Sequence, residues 1–205
     1  MKLNGFDRIA GVYDFLAGLV FGKSIRESQI FFLGEIPERA KVLILGGGSG
    51  WLLAALLKIK PKCEVWYIDA SEEMIALSRQ KNRPGTMVHF IHGTELNIPE
   101  AIRYDAVITN FYFDLFTDHQ LKDVVEKIQL SINSKTIWIA SDFVDGKKWW
   151  QGMLLQVMYF FFRVTCEIDS RRLPEWHNSM EKAGMKEIES KFFYGDFIKT
   201  VRFQV

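Results

Sequence analysis

The amino-acid sequence predicts an α/β fold: a three-layer αβα sandwich around a mostly parallel seven-stranded sheet with an antiparallel C-terminal hairpin. Three observations carry this prediction. Short apolar runs alternate with helix-period segments through the middle of the chain, the pattern of strand–helix–strand crossovers. A run of glycines sits directly between the first such strand and the first such helix. Two β-rich runs close the chain, separated by Gly195-Asp196.

Lys41–Leu45 (KVLIL) is a continuous apolar run, as expected of a strand buried on both faces. Gly46-Gly47-Gly48-Ser49-Gly50 follows. Trp51–Ile59 (WLLAALLKI) is then a run of good helix formers, stopped by Pro61. Cys63–Ile68 is the second strand. Ser71 can cap the next helix, which carries Met74, Ile75, Leu77 and Ser78 along one side and is broken by Pro84-Gly85. Thr86–Ile91 and Tyr104–Thr109 are the third and fourth strands. Thr117 opens a capping-box pattern with Gln120, and Leu121, Val124, Val125 and Ile128 then repeat at helical spacing. Lys135–Ala140 is the fifth strand.

The flanks differ from this core. Residues 7–35 read as helical and aromatic-rich. Residues 147–165 form a second helical segment with a broad apolar stripe through Trp149, Trp150, Met153, Leu154, Val157, Met158 and Phe161. Pro174–Ala183 is a short helix ended by Gly184, and Glu187–Tyr194 and Phe197–Val205 are the hairpin. The expected organisation is one domain, 1–205. It comprises an N-terminal helical cap (1–36), a cofactor-binding core (41–141), a helical lid or insertion (145–172) and a C-terminal helix with hairpin (173–205).

Hydrophobic residues make up 48% of the 205 and charged residues 25%, which suits a packed core rather than a disordered chain. Lys plus Arg (26) balances Asp plus Glu (25) without a basic stripe, so nucleic acid is not the expected substrate. Cys63 and Cys166 have neither C-x-x-C spacing nor a nearby His cluster. They read as free thiols of a reducing cytoplasm, with no metal site. The apolar stretch Met153–Val164 is shorter than the roughly 20 residues that a bilayer span needs. The expectation is a cytoplasmic protein without a transmembrane segment. Peripheral membrane contact stays open, as do monomer and homodimer.

The glycine loop spaces its residues as Gly46-x-Gly48-x-Gly50. Glycines there allow a tight turn and a close backbone approach to a ligand at a helix N-terminus. A dinucleotide fingerprint needs a third glycine where this chain has Trp51, which argues against NAD or FAD. Asp69 ends the second strand nineteen residues after Gly50, where a carboxylate can accept both hydroxyls of an adenosine ribose. The plain alternatives are a ligand-free turn and an ordinary helix cap.

VLILGGGSG (42–50), YIDASEEMI (67–75), FIHGTELNIP (90–99), YDAVITNFYFDLF (104–116) and LPEWHNSMEKAGM (173–185) resemble successive motifs of the class I S-adenosylmethionine-dependent methyltransferases. The likeness covers nearly the whole chain. FDRIAGVYDFLAGLVFG (6–22) is similar to the N-terminal helices of the ubiquinone/menaquinone biosynthesis methyltransferases. The resemblance implies a Rossmann-like fold, S-adenosyl-L-methionine as cofactor and methyl transfer to a small acceptor. It implies cofactor contacts at Tyr13, Gly46, Gly47, Gly48, Ser49, Gly50, Asp69, Ala70, Met74, Thr94, Glu95, Asn110 and Phe111. Tyr13, Asn110 and Tyr112 are the catalytic candidates.

Two positions depart from the family pattern. Ile44 stands where an acid is usual, and Gly93-Thr94 stands where Gly-Asp is common, so Glu95 or the Thr94 hydroxyl must substitute. His89, His92, His119 and His177 show no partner in the sequence and read as packing or surface residues. Tyr159-Phe160-Phe161-Phe162 lies where class members often place substrate-covering insertions, and an apolar lid suits a small lipophilic acceptor. Core packing or a dimer contact is the alternative there. Three further functional readings remain. One is a catalytically weak or inactive cofactor-binding relative, motivated by Ile44 and Thr94. Another is an aminopropyl transferase, which expects an Asp where Asn110 stands. The last is an NAD-linked oxidoreductase, opposed by Trp51.

Overall fold

The computed structural model describes residues 20–82, 84–145, 148–166, 170 and 172–205, without the side chains of 161, 162 and 164–166. Strands β1 (Lys41–Leu45), β2 (Glu64–Asp69), β3 (Met87–His92), β4 (Ala106–Asn110), β5 (Ile137–Phe143), β6 (Lys186–Phe193) and β7 (Ile198–Gln204) form one sheet. Its order is β3-β2-β1-β4-β5-β7-β6. β3 to β5 pair in parallel, while β7 runs antiparallel to both β5 and β6. The helices are α1 (Ser24–Ile30), α2 (Trp51–Ile59), α3 (Glu72–Lys81), α4 (Asp118–Gln129), α5 (Trp149–Cys166) and α6 (Trp176–Lys182). This is the expected Rossmann-like αβα sandwich.

β1 explains why the sheet is covered on both sides. Successive side chains of a strand point to opposite faces. Val42 and Ile44 pack with Leu52, Leu53, Leu56 and Leu57 of α2, while Leu43 and Leu45 join the cluster that holds Leu121, Val124, Val125 and Ile128 of α4. A strand sandwiched this way has no polar face to show, hence KVLIL. Ile44 is fully buried in this packing.

The helix starts are locally encoded. The Ser71 hydroxyl accepts from Met74 N at 3.1 Å. Thr117 and Gln120 cap each other's backbone reciprocally at the head of α4. β5 runs three residues further than its apolar run, because its polar end pairs with β7: Ser141 with Thr200, Asp142 with Lys199 and Phe143 with Ile198. β4 starts later than expected, at Ala106, because the Asp105 carboxylate turns aside to accept from Lys41 N at 2.8 Å.

The histidines have partners that the sequence did not show; His92 meets the Ala70 carbonyl and His119 lies near Asp123. His89 stacks on Trp66 and meets Glu64 at 2.8 Å, and His177 hydrogen-bonds Glu187. The apolar stripe of α5 divides in two. Leu154, Leu155 and Met158 pack inward, whereas Trp149, Met153, Val157 and Phe160 are exposed. No described helix is long and apolar enough to cross a membrane.

The strand order reverses direction between β1 and β4. In such sheets ligands bind in the crevice beyond the carboxyl ends of the strands at that point. The glycine loop after β1 and the segment 110–115 after β4 face each other there.

Candidate active site

The glycine loop rests on an aromatic floor. Tyr67, fully buried on β2, donates its hydroxyl to the Gly48 carbonyl at 2.7 Å, and Ser78 of α3 donates to the same carbonyl at 2.8 Å. A Cβ on Gly47 would lie 2.2 Å from Tyr67 Cζ, so no side chain fits there. At Gly50, φ is +86° and a Cβ would lie 2.7 Å from the Ser78 backbone, so glycine is required twice over. Gly50 is the N-cap of α2 and brings no side-chain acceptor to the first helical turn. Ser49 lies beside it, with Lys81 Nζ at 3.2 Å from its hydroxyl.

Asp69 closes β2 beneath this loop. Its Oδ2 accepts from Gly48 N at 2.8 Å and its Oδ1 from Ser71 N at 2.9 Å. These bonds fix the carboxylate against the loop. Ala70 follows, its carbonyl 3.0 Å from His92 Nε2, and Met74 sits nearly buried in the first turns of α3.

The Thr94 hydroxyl accepts from Leu96 N at 3.3 Å and so caps the short turn Glu95–Asn97. The Glu95 carboxylate instead accepts from the Tyr112 hydroxyl at 2.8 Å. Burial and the Glu95 charge both raise Tyr112 well above the ordinary tyrosine range, so it is a neutral donor. Its ring lies against Gly46, where a Cβ would be 2.7 Å from Tyr112 Cδ2.

Asn110 ends β4. It is 4% exposed, its Nδ2 reaches Gln29 O at 3.4 Å, and its Oδ1 is buried without a partner. Phe111 follows with φ at +51°, a strained conformation for an aromatic residue and one that clusters at ligand sites. Its ring packs at 5.1 Å from Phe143. Tyr13 lies outside the described residues.

Sequence reasoning missed a pair of acids just beyond these residues. Asp142, fully buried on β5, accepts from Phe113 N at 2.9 Å, Asp114 N at 3.3 Å and Phe143 N at 2.7 Å. Asp114 is 7% exposed and its Oδ1 is buried without a partner. Burial pushes Asp114 up to about 7, and burial together with the Asp114 charge raises Asp142 well above the carboxylate range. The available signal was a lone carboxylate in each of two otherwise apolar or aromatic runs, NFYFDLF and IWIASDF.

An adenosyl sulfonium ligand fits these residues. Asp69 suits a ribose diol, Gly48 faces open space, and the orphaned Asn110 Oδ1 is a buried acceptor suited to a cationic or N–H group. Topology and site are those of a Rossmann-like fold shared with methyltransferases of solved structure, and they resemble the class I S-adenosylmethionine-dependent methyltransferases.

Residues 42–133 match the methyltransferase domain family. The chain is 23% identical over 223 residues to a carboxy-S-adenosyl-L-methionine synthase of Nautilia profundicola, covering 97% of this chain and 93% of that protein. It is 32% identical over 120 residues to a demethylmenaquinone methyltransferase of Thermotoga maritima, covering 56% of this chain and 50% of that one. Among solved structures, the N-methyltransferase NodS of Bradyrhizobium japonicum in complex with S-adenosyl-L-homocysteine shares the fold. Its TM-score is 0.73 at 11% identity, over 99% of this chain and 97% of that chain.

Proposed function

We propose that the protein transfers the methyl group of S-adenosyl-L-methionine to a small, lipophilic acceptor in the cytoplasm. The observation that carries this reading is the wall beside the cofactor residues. Phe111 packs there on a buried cluster of Phe21, Phe143, Phe197 and Ile198, and Leu154, Leu155 and Met158 of α5 pack on the same cluster. An apolar wall of this kind binds an apolar ligand body and excludes water from the reacting centre. In this reading residues 145–172 cover the acceptor. The cofactor contacts are Gly46 to Gly50, Asp69, Ala70, Met74, Thr94, Glu95, Asn110 and Phe111, with Tyr13 from the N-terminal cap.

The cofactor supplies an electrophilic methyl carbon on a positively charged sulfur. The protein contributes position: an acceptor atom held in line and in contact gains most of its rate from pre-paid orientation. Asp69 and the loop fix the nucleoside end, and Tyr112 closes the loop against Glu95.

The Nautilia relative, which matches nearly end to end, motivates a second reading in which the S-adenosylmethionine skeleton is itself carboxylated. Product analysis separates the two. Incubation with S-adenosyl-L-methionine and a panel of lipophilic phenols and quinols is expected to yield S-adenosyl-L-homocysteine and a methylated acceptor by mass spectrometry. A parallel incubation with a carboxylic-acid donor in place of the acceptors that yields a carboxylated nucleoside favours the second reading. Binding of S-adenosyl-L-homocysteine without turnover on any acceptor assigns an inactive relative.

A further inference from the structure

Among the described residues, four buried side-chain polar atoms have no partner: Tyr104 Oη, Asn110 Oδ1, Asp114 Oδ1 and Arg202 Nε. Two of the four, on Asn110 at the end of β4 and on Asp114 just beyond it, lie at the ligand end of the sheet. A buried acceptor atom left unpaired costs about 1–3 kcal/mol, so such atoms are rare unless a ligand uses them. Asn110 Oδ1 is absorbed by the cofactor reading. Asp114 Oδ1 is not.

Asp114 is held rigidly. The turn Phe113–Leu115 hangs from Asp142, whose carboxylate accepts from the backbone N–H groups of both Phe113 and Asp114. From the other side Tyr159 of α5 donates its hydroxyl to the Asp114 carbonyl at 3.4 Å. Among the described residues, the titratable groups facing Asp114 are Asp142 from β5 and Tyr159 from α5. From α6 the uncharged Trp176 packs at 6.1 Å from the neighbouring Phe113 ring.

We propose that Asp114 is the proton acceptor of methyl transfer, its unpartnered oxygen taking the proton of an acceptor hydroxyl or amine, with Asp142 and Tyr159 as positioning residues. The inference rests on the methyl-transfer reading and narrows it to protic acceptors, phenols, enols or amines. The step balances. The acceptor's oxygen or nitrogen bonds to the methyl carbon, the sulfur–methyl bond breaks with its electron pair staying on sulfur, and the acceptor's proton passes to Asp114. A base works best when it titrates near the working pH, and burial brings Asp114 to about 7. The two carboxyls titrate as a pair.

The test uses the full-length protein with aspartate carboxyls labelled with carbon-13. In an NMR titration from about pH 5 to about pH 9, two carboxyls are expected to titrate well above the ordinary range. Asp114→Asn and Asp142→Asn each leave one. No elevated carboxyl in the wild type, or a pattern unchanged by Asp114→Asn, overturns the proposal. With 2-naphthol and hydroquinone as probes, Asp114→Asn is expected to lower kcat about 100-fold or more and to remove the rise of kcat with pH through neutrality. Its affinity for S-adenosyl-L-homocysteine stays within about threefold of the wild type, because Asp69 and the loop are untouched. Retained turnover in Asp114→Asn overturns the inference while methyl transfer stands. A wild-type protein that methylates no protic probe sinks both.

Discussion

The Cα of Gly47 and the ring of Tyr67 are in contact so close that a single added carbon would sit 2.2 Å from Tyr67 Cζ. The glycine loop is thus seated directly on a buried phenol of the neighbouring strand, and that phenol also bonds the Gly48 carbonyl. Gly47→Ala must push the loop off its floor. It is expected to lower affinity for S-adenosyl-L-homocysteine at least about tenfold and to lower Tm. Tyr67→Phe keeps the floor and loses the bond, for about 1–2 kcal/mol of stability and a smaller loss of affinity. Calorimetric titration and thermal unfolding of the two variants check the order.

Asp69 serves the loop and the proposed ribose contact together. Asp69→Ala strips the acceptor from Gly48 N and Ser71 N as well as from the ligand. Affinity for S-adenosyl-L-homocysteine is expected to fall about 100-fold or more, and Asp69→Asn, which keeps one acceptor, lies between. Equal affinity in wild type and Asp69→Ala contradicts the assignment.

Tyr112 and Glu95 join the two sides of the crevice at 2.8 Å. A double-mutant cycle with Tyr112→Phe and Glu95→Gln is expected to show a coupling of about 1 kcal/mol in S-adenosyl-L-homocysteine binding. Because Tyr112 stays neutral, it adds no pH limb to binding below about pH 9. Additive single effects in the cycle remove Glu95 from the site.

Stability has two acid signatures of opposite sign. Asp114 is raised in the fold, so the native state holds more protons than the unfolded chain between the ordinary aspartate value and about pH 7. Its contribution is full below that window and is lost as pH rises through about 7, on the order of 2–4 kcal/mol. Asp114→Asn flattens that loss. Glu187 is the reverse. Burial opposes its ionisation, but hydrogen bonds from Lys199, Ser190 and His177 outweigh burial and hold it at about 2. The stability it adds is present above the ordinary glutamate value and disappears as pH falls toward 2. Urea unfolding across pH, wild type against Asp114→Asn and Glu187→Gln, checks both directions.

Local signals carried most of the fold. KVLIL is legible because a strand buried on both faces has nowhere to place a polar side chain, and Ser71 and Thr117 announce their helices by caps that act within three residues. The glycine loop and Asp69 were legible because their chemistry is set by spacing along one strand–turn–helix unit. The acid pair was not, because Asp114 and Asp142 meet only through the parallel pairing of β4 with β5, which sets Asn110 beside Ser141. Tyr67 read as one more apolar strand residue, since its hydroxyl gains meaning only from the loop above it. Glu95 read as a candidate cofactor contact, and the bond it accepts from the Tyr112 hydroxyl was not legible from the sequence. Phe111 carries no mark of its positive φ, which the crossing of the post-β4 segment imposes.

Calorimetric titration of the wild-type protein with S-adenosyl-L-homocysteine, repeated with NADH, tests the site most directly. The expected result is saturable heat at one site per chain with the first ligand, lost on Asp69→Ala, and none with NADH. Heat with NADH alone, or no heat with S-adenosyl-L-homocysteine, contradicts the account.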